Sequence, residues 1–169
     1  GSEFHREVVL PGMIRLLAPQ TGQTILDVAC GQGVLCRLLA ARGVQAIGVD
    51  ASRELIQAAR SRDASSADQP APPHAPLYHI GDARELDFLP ADHFDAAACV
   101  LAIQNIHPMP PVFATVTRRL KTGGKFVIVM MHPCFRGSKE TSWGWNEKQQ
   151  IQYRRIDRLH GGIGGRPHG

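Results

Sequence analysis

The sequence predicts a doubly wound α/β fold built on a parallel sheet, and three observations carry that prediction. Short apolar runs alternate with stretches of helical periodicity over most of the chain, the pattern of strands joined by right-handed helical crossovers. The first run leads straight into a glycine turn, Asp27-Val28-Ala29-Cys30-Gly31-Gln32-Gly33. Polar residues then gather where successive runs end: Asp50, Gly81-Asp82-Ala83, residues 100–107 and His132. In such sheets the carboxyl ends of the strands are where ligands bind.

Pro11 opens the first helix, with Met13, Ile14, Leu16 and Leu17 on its apolar side, and Val8-Val9-Leu10 extends it N-terminally. A turn follows at Pro19-Gln20-Thr21-Gly22. Residues 24–29 read as a strand buried on both faces. After the glycine turn, Val34, Leu35, Leu38 and Leu39 recur at helical spacing, and Gly43 stands where a helix C-terminus favours a left-handed residue. A second strand spans residues 44–49. Ser52 is placed to cap a helix carrying Leu55, Ile56, Ala58 and Ala59. Residues 61–76, with Pro70, Pro72, Pro73 and Pro76, read as a mobile surface loop. Residues 77–80 form a third strand and residues 96–101 a fourth. Residues 108–121 form a helix with Val112, Phe113, Val116 and Leu120 facing the core; Thr122-Gly123-Gly124 breaks it, and residues 125–131 form a fifth strand. Residues 143–159 are polar with scattered aromatics and receive no firm element.

The chain has 169 residues, enough for one domain, which the pattern places at residues 5–160. Gly1-Ser2-Glu3-Phe4 reads as a cloning scar, and residues 161–169 as a flexible glycine-rich tail. No apolar run reaches the roughly 20 residues needed to span a bilayer, and no secretory signal is visible. Cys30, Cys36 and Cys99 lie in core-like settings and no C-x-x-C pair occurs, so reduced thiols and a cytoplasmic setting are expected. The net charge of +4 is mild. Arg118, Arg119, Lys121 and Lys125 form one basic group and Arg154, Arg155 and Arg158 another, read as solvated faces; neither membrane nor nucleic acid is an expected partner.

The turn at residues 27–33 lets a ligand approach the backbone closely. A dinucleotide fingerprint would place a third glycine at position 36, which is Cys36. Asp27 also argues against a pyrophosphate beside the turn and for a cationic centre there. Asp50, 17 residues after Gly33, can accept hydrogen bonds from ribose hydroxyls. Asp82 can accept from an adenine amine, and the Ala83 amide can donate to a ring nitrogen. His107 and His132, after the fourth and fifth strands, are the candidate proton acceptors, with Gln104 and Asn105 placed to orient a polar acceptor. His132 and Cys134 alone make no metal site.

These motifs, in the order 25–33, Gly48-Val49-Asp50, Gly81-Asp82-Ala83, Phe94-Asp95 and residues 120–125, resemble the class I S-adenosylmethionine-dependent methyltransferases. The resemblance runs from about residue 20 to residue 135 and departs at Ala29, where the family usually has glycine. It implies a Rossmann-like sheet in the order 3-2-1-4-5. It also implies a cofactor, S-adenosyl-L-methionine, held at its methionine end by Asp27, Ala29, Cys30, Gly31 and Gly33. Asp50, Ala51 and Ser52 would hold the ribose, Asp82 and Ala83 the adenine, and Val100 and Leu101 would line the path to the acceptor. Residues 131–136 and 143–145 resemble the small-molecule, ubiquinone-biosynthesis-like branch, which implies a small-molecule acceptor. The segment Gln104-Asn105-Ile106-His107-Pro108 lacks the motif of enzymes that methylate base amino groups. Only 38 residues follow Met131, so the family's final antiparallel hairpin is expected to be absent or incomplete. An exposed fifth-strand edge would then favour a homodimer or a covering segment from residues 143–159. The alternative to turnover is a truncated domain that binds the cofactor without transferring a methyl group.

Overall fold

The order of five strands follows from which apolar runs are buried on both faces. The computed structural model describes residues 5–64, 74–130, 141–146 and 151–156. A short π-helical turn (His5–Val9) runs into α1 (Leu10–Leu17), followed by β1 (Thr24–Val28), α2 (Val34–Ala40), β2 (Gln45–Asp50) and α3 (Arg53–Ala64). Next come β3 (Leu77–Ile80), β4 (Phe94–Val100), a 3₁₀ turn (Ile103–Asn105), α4 (Pro110–Arg119) and β5 (Leu120–Val129). The strands pair in parallel in the order β3-β2-β1-β4-β5, as the sequence predicts. The chain divides into two compact units, residues 1–130 and 131–169, described separately. In the second, β6 (Thr141–Asn146) and β7 (Ile151–Ile156) form their own antiparallel pair, from Thr141 opposite Ile156 to Asn146 opposite Ile151. Residues 1–4 and 161–169, His132, Cys134 and residues 65–73 of the proline-rich stretch lie outside the described residues.

Alternation along β1 and β4 splits the core of the first unit in two. Ile25, Ala96 and Ala98 face one layer with Leu10, Met13 and Leu17 of α1 and Leu35 and Leu39 of α2. Leu26, Val28, Ala97 and Cys99 face the other, with Phe94, Leu86 and Val112 and Val116 of α4. Phe94 and Leu26 are fully buried, and burying a side chain of that size contributes about 1.5–3 kcal/mol. β3 and β5 are the sheet's edges, so Leu77 and Ile80 stay exposed although their run reads as apolar.

Three local expectations are corrected. Leu16 and Phe113 are exposed, because each lies at the margin of its helix's apolar stripe and not at its centre. Phe113 instead packs edge-on against Phe126. The glycines 123–124 do not separate helix from strand: β5 begins at Leu120, opposite Phe94, and absorbs residues 121–124 as an irregularity before Ala96 meets Lys125. Ser52 caps α3 as predicted, its Oγ accepting the Leu55 amide at 3.2 Å.

Candidate cofactor site

The parallel register brings the glycine turn, Asp50 and the turn after β3 to one end of the sheet. Asp27 of β1 pairs with Gly48 on one side and Ala98 on the other. Just beyond, the Cys30 amide donates to the Val49 carbonyl at 3.0 Å, fastening the turn to β2. Gly33 starts α2 at a φ of 71°. A Cβ there would stand 2.7 Å from the Tyr78 ring, so this position needs glycine for both backbone and space. Gly48 also makes room: a Cβ on it would lie 2.7 Å from the Cys30 sulfur and 3.0 Å from that of Cys36.

Ala29 occupies the position of the family's glycine and takes a left-handed φ of 56°. For an L-residue that conformation costs roughly 1–2 kcal/mol. Ala29 lines two cavities that meet at this residue. One, of about 400 Å³, runs past Asp50, Ala51, Asp82 and Ala83 to Ile106 and His107. The other, of about 300 Å³, is lined by Asp27, Cys30 and Gly31 together with Leu10, Leu55 and Val100. Small-molecule sites occupy roughly 300–1,000 Å³.

Asp50 is fixed from two sides. Its Oδ2 accepts the Gly31 amide at 2.8 Å and its Oδ1 the Ser52 amide at 2.9 Å. Each oxygen keeps a further lone pair for a ligand hydroxyl. Asp27 is only 2% exposed. Burial pushes its carboxyl up to about 7; the Cys36 thiol, donating to Oδ2 at 3.3 Å, works against that rise, and the nearby Asp50 charge adds to it. The Cys36 thiol is held well above its ordinary range by its contact with Cys30, by burial and by Asp27. Cys99 is pushed up to about 12, mainly by burial. Cys36 and Cys99 thus stay protonated near the buried Asp27 carboxyl.

Asp82 is engaged in a way the sequence did not suggest. The guanidinium of Arg84 grips its carboxylate, and these hydrogen bonds hold it below the usual carboxylate range. Arg84 lies in the same cavity wall.

Of the residues expected at the site, Asp27, Ala29, Cys30, Gly31, Asp50, Ala51, Asp82, Ala83, Val100 and His107 line the two cavities. Gly33, Ser52 and Leu101 do not. They act on the backbone: the Gly33 amide donates to the Cys30 carbonyl at 3.0 Å, the Ser52 amide holds Asp50, and Leu101, at a φ of 53°, donates to Val129 at 2.7 Å. His107 borders the Asp82 cavity and not the Asp27 cavity. Sequence reasoning missed Arg84, Leu10 and Leu55 as lining residues. Arg84 follows the Gly81-Asp82-Ala83 motif directly; nothing local distinguishes the two leucines from core positions.

The donor set fits a ligand with a cationic centre and a nucleoside. In one cavity stands the buried carboxyl of Asp27, which among the described residues forms no ion pair with a basic side chain, and in the other a doubly anchored carboxylate lies next to small residues. No helix among the described residues is long and apolar enough to cross a membrane.

Comparison with known proteins finds methyltransferases. A family model described as methyltransferase domain matches residues 26–128. The 2-phytyl-1,4-naphtoquinone methyltransferase of Synechococcus elongatus is 37% identical over 123 residues, covering 70% of this chain and 50% of that protein. The demethylmenaquinone methyltransferase of Symbiobacterium thermophilum is 34% identical over 145 residues, 83% of this chain and 51% of its own. The chain therefore spans about half the length of the curated relatives it matches. Among solved structures, an S-adenosylmethionine-dependent methyltransferase from Mesorhizobium loti superposes with a TM-score of 0.69 at 28% identity, over 88% of this chain and 64% of that one. Phosphoethanolamine N-methyltransferase 2 of Haemonchus contortus, in complex with S-adenosyl-L-methionine, gives 0.63 at 28% identity over 75% and 30%.

Proposed function

Because the chain belongs to the S-adenosylmethionine-dependent methyltransferase family, we propose that it binds S-adenosyl-L-methionine across the two cavities that meet at Ala29 and takes part in methyl transfer to a small aromatic acceptor of the quinol type. The observation that carries the binding reading is the pair of backbone bonds on Asp50, which hold one carboxylate at once against the glycine turn and at the wall of the larger cavity.

In this reading Asp50 accepts the ribose hydroxyls, with Ala51 beside it, and Asp82 and Ala83 face the adenine. Asp27, with Ala29, Cys30 and Gly31, surrounds the methionine end, where its carboxylate answers a positive charge. Gly33 and Ser52 shape the turn and the Asp50 carboxylate. Val100 and Leu101 stand at the end of β4, on the side of the acceptor. The cofactor supplies an electrophilic methyl group on sulfur; the chain supplies position, electrostatics and exclusion of water. Leu10, Leu55 and Val100 give the Asp27 cavity an apolar wall suited to that exclusion. His107 is assigned no proton transfer, since it borders the nucleoside side. The acceptor class rests on the two quinone-methylating relatives. Pairing of two copies along the β5 edge belongs to the same proposal and is measured by light scattering.

Calorimetric titration with S-adenosyl-L-methionine and with NAD tests the binding step, with binding expected for the first alone. Release of S-adenosylhomocysteine in the presence of a reduced naphthoquinone tests transfer. Binding without release would favour a domain that holds the cofactor without turnover.

A further inference from the structure

We infer that Arg84 is a positioning residue of this site, a fork that ties the turn after β3 to the loop after β4 and so sets the width of the nucleoside-side cavity; the inference rests on the cofactor reading above. Asp82 and Arg84 flank Ala83, whereas His107 stands 23 residues beyond Arg84, on the opposite wall. Arg84 Nε lies 3.0 Å from each oxygen of Asp82, Nη2 lies 2.5 Å from Oδ2, and the Arg84 amide lies 2.8 Å from Oδ1. The remaining arm, Nη1, donates to the His107 carbonyl at 2.5 Å. One planar group therefore serves both walls.

The loop it reaches is also tied to β5 and to itself. Leu101 donates to the Val129 carbonyl, Gln104 Nε2 to the Leu101 carbonyl at 2.8 Å, and Ile106 to the Ile103 carbonyl at 3.1 Å. Those bonds fix the shape of the loop, while the Arg84 bond sets its distance from the β3 turn. Asp82 and Arg84 are 37% and 38% exposed at their side chains, so solvent screens the pair and its share in global stability is small. Its geometric content is larger, because the guanidinium is a rigid fork that an ammonium cannot reproduce. The fork also uses most of the acceptor capacity of Asp82, leaving that carboxylate one direction in which to meet a ligand amine.

The test compares the intact chain with Arg84→Ala and Arg84→Lys. Affinities for S-adenosyl-L-methionine, S-adenosylhomocysteine and adenosine are measured by calorimetry, and amide hydrogen exchange is followed over residues 102–107. Arg84→Ala is expected to weaken all three ligands by a similar factor, about tenfold, since all share the nucleoside, and to speed exchange in the loop. Arg84→Lys, able to pair with Asp82 but not to span to His107, is expected to recover only part of the affinity and none of the protection. In an Asp82→Asn background the further effect of Arg84→Ala is expected to shrink to about twofold or less. Unchanged affinity in Arg84→Ala, full recovery by lysine, or an undiminished effect in the Asp82→Asn background would each overturn the inference. If the intact chain binds none of the three ligands, the cofactor reading falls as well; if it binds them and Arg84→Ala does too, only the fork falls.

Discussion

Gly31 and Asp50, 19 residues apart, are joined by a hydrogen bond of 2.8 Å from the Gly31 amide to Asp50 Oδ2. The bond couples the glycine turn to the end of the second strand, so the carboxylate anchors the turn while it lines the larger cavity. Asp50→Ala is expected to lower affinity for S-adenosyl-L-methionine by about 1–3 kcal/mol, the scale of bonds to a charged acceptor. Asp50→Asn keeps one acceptor oxygen and should recover part of that loss. Calorimetry on the three proteins decides it, and equal affinities would remove Asp50 from the site.

Asp27 supplies a pH-dependent prediction. Its carboxyl is raised by burial from 3.8 to about 7, so the native chain keeps a proton that the unfolded chain has lost. That contribution to stability is fully present below about pH 4 and fades as pH rises towards 7. Asp27→Asn does not titrate. Relative to the intact chain, it should therefore gain stability between pH 5 and 8 by a few kcal/mol, read from urea unfolding at the two values. Ligand affinity should run the other way: rising with pH through about 7 for Asp27, flat and weaker for the asparagine variant. A stability difference independent of pH would show that Asp27 ionises normally.

Ala29 holds a left-handed backbone without being glycine. Ala29→Gly removes that strain but adds freedom to the unfolded chain, for a net gain on the order of 0.5–1 kcal/mol. Thermal unfolding should show a higher midpoint, with cofactor affinity retained. A lower midpoint would mean that the methyl packs more productively than its conformation costs.

Gly33 should tolerate nothing larger. Gly33→Ala meets both the φ of 71° and the Tyr78 ring 2.7 Å from the new Cβ. A loss of roughly 1–3 kcal/mol is expected from crowding alone. Combining it with Tyr78→Phe, whose ring keeps the same edge, should restore little, whereas Tyr78→Ala should relieve the clash. Unfolding midpoints for these three variants and the intact chain check the ordering.

Much of this was legible in the sequence because buried parallel strands leave a strong local trace. Apolar runs such as Ile25-Leu26 and Ala97-Ala98-Cys99 need no tertiary information, and the carboxylates Asp27, Asp50 and Asp82 follow from where those runs end. What escaped depends on partners distant in sequence. Leu10 and Leu55 read as core residues because helical spacing marks a face without saying whether protein or ligand covers it. Arg84 receives no role from the sequence because its grip on the His107 carbonyl spans two loops. Residues 141–146 and 151–156 pair antiparallel although their composition is polar, since antiparallel pairing rests on backbone bonds that composition does not reveal.

The meeting of the two cavities at Ala29 makes the site modular. A nucleoside and an amino acid would each occupy its own chamber, with Ala29 as the threshold between them. A ligand that joins the two halves then gains by chelation: once one half is seated, the other faces its chamber at a high local concentration. Fragments would bind weakly and side by side, and the dimensions of that threshold would decide which linkers can pass from one chamber to the other.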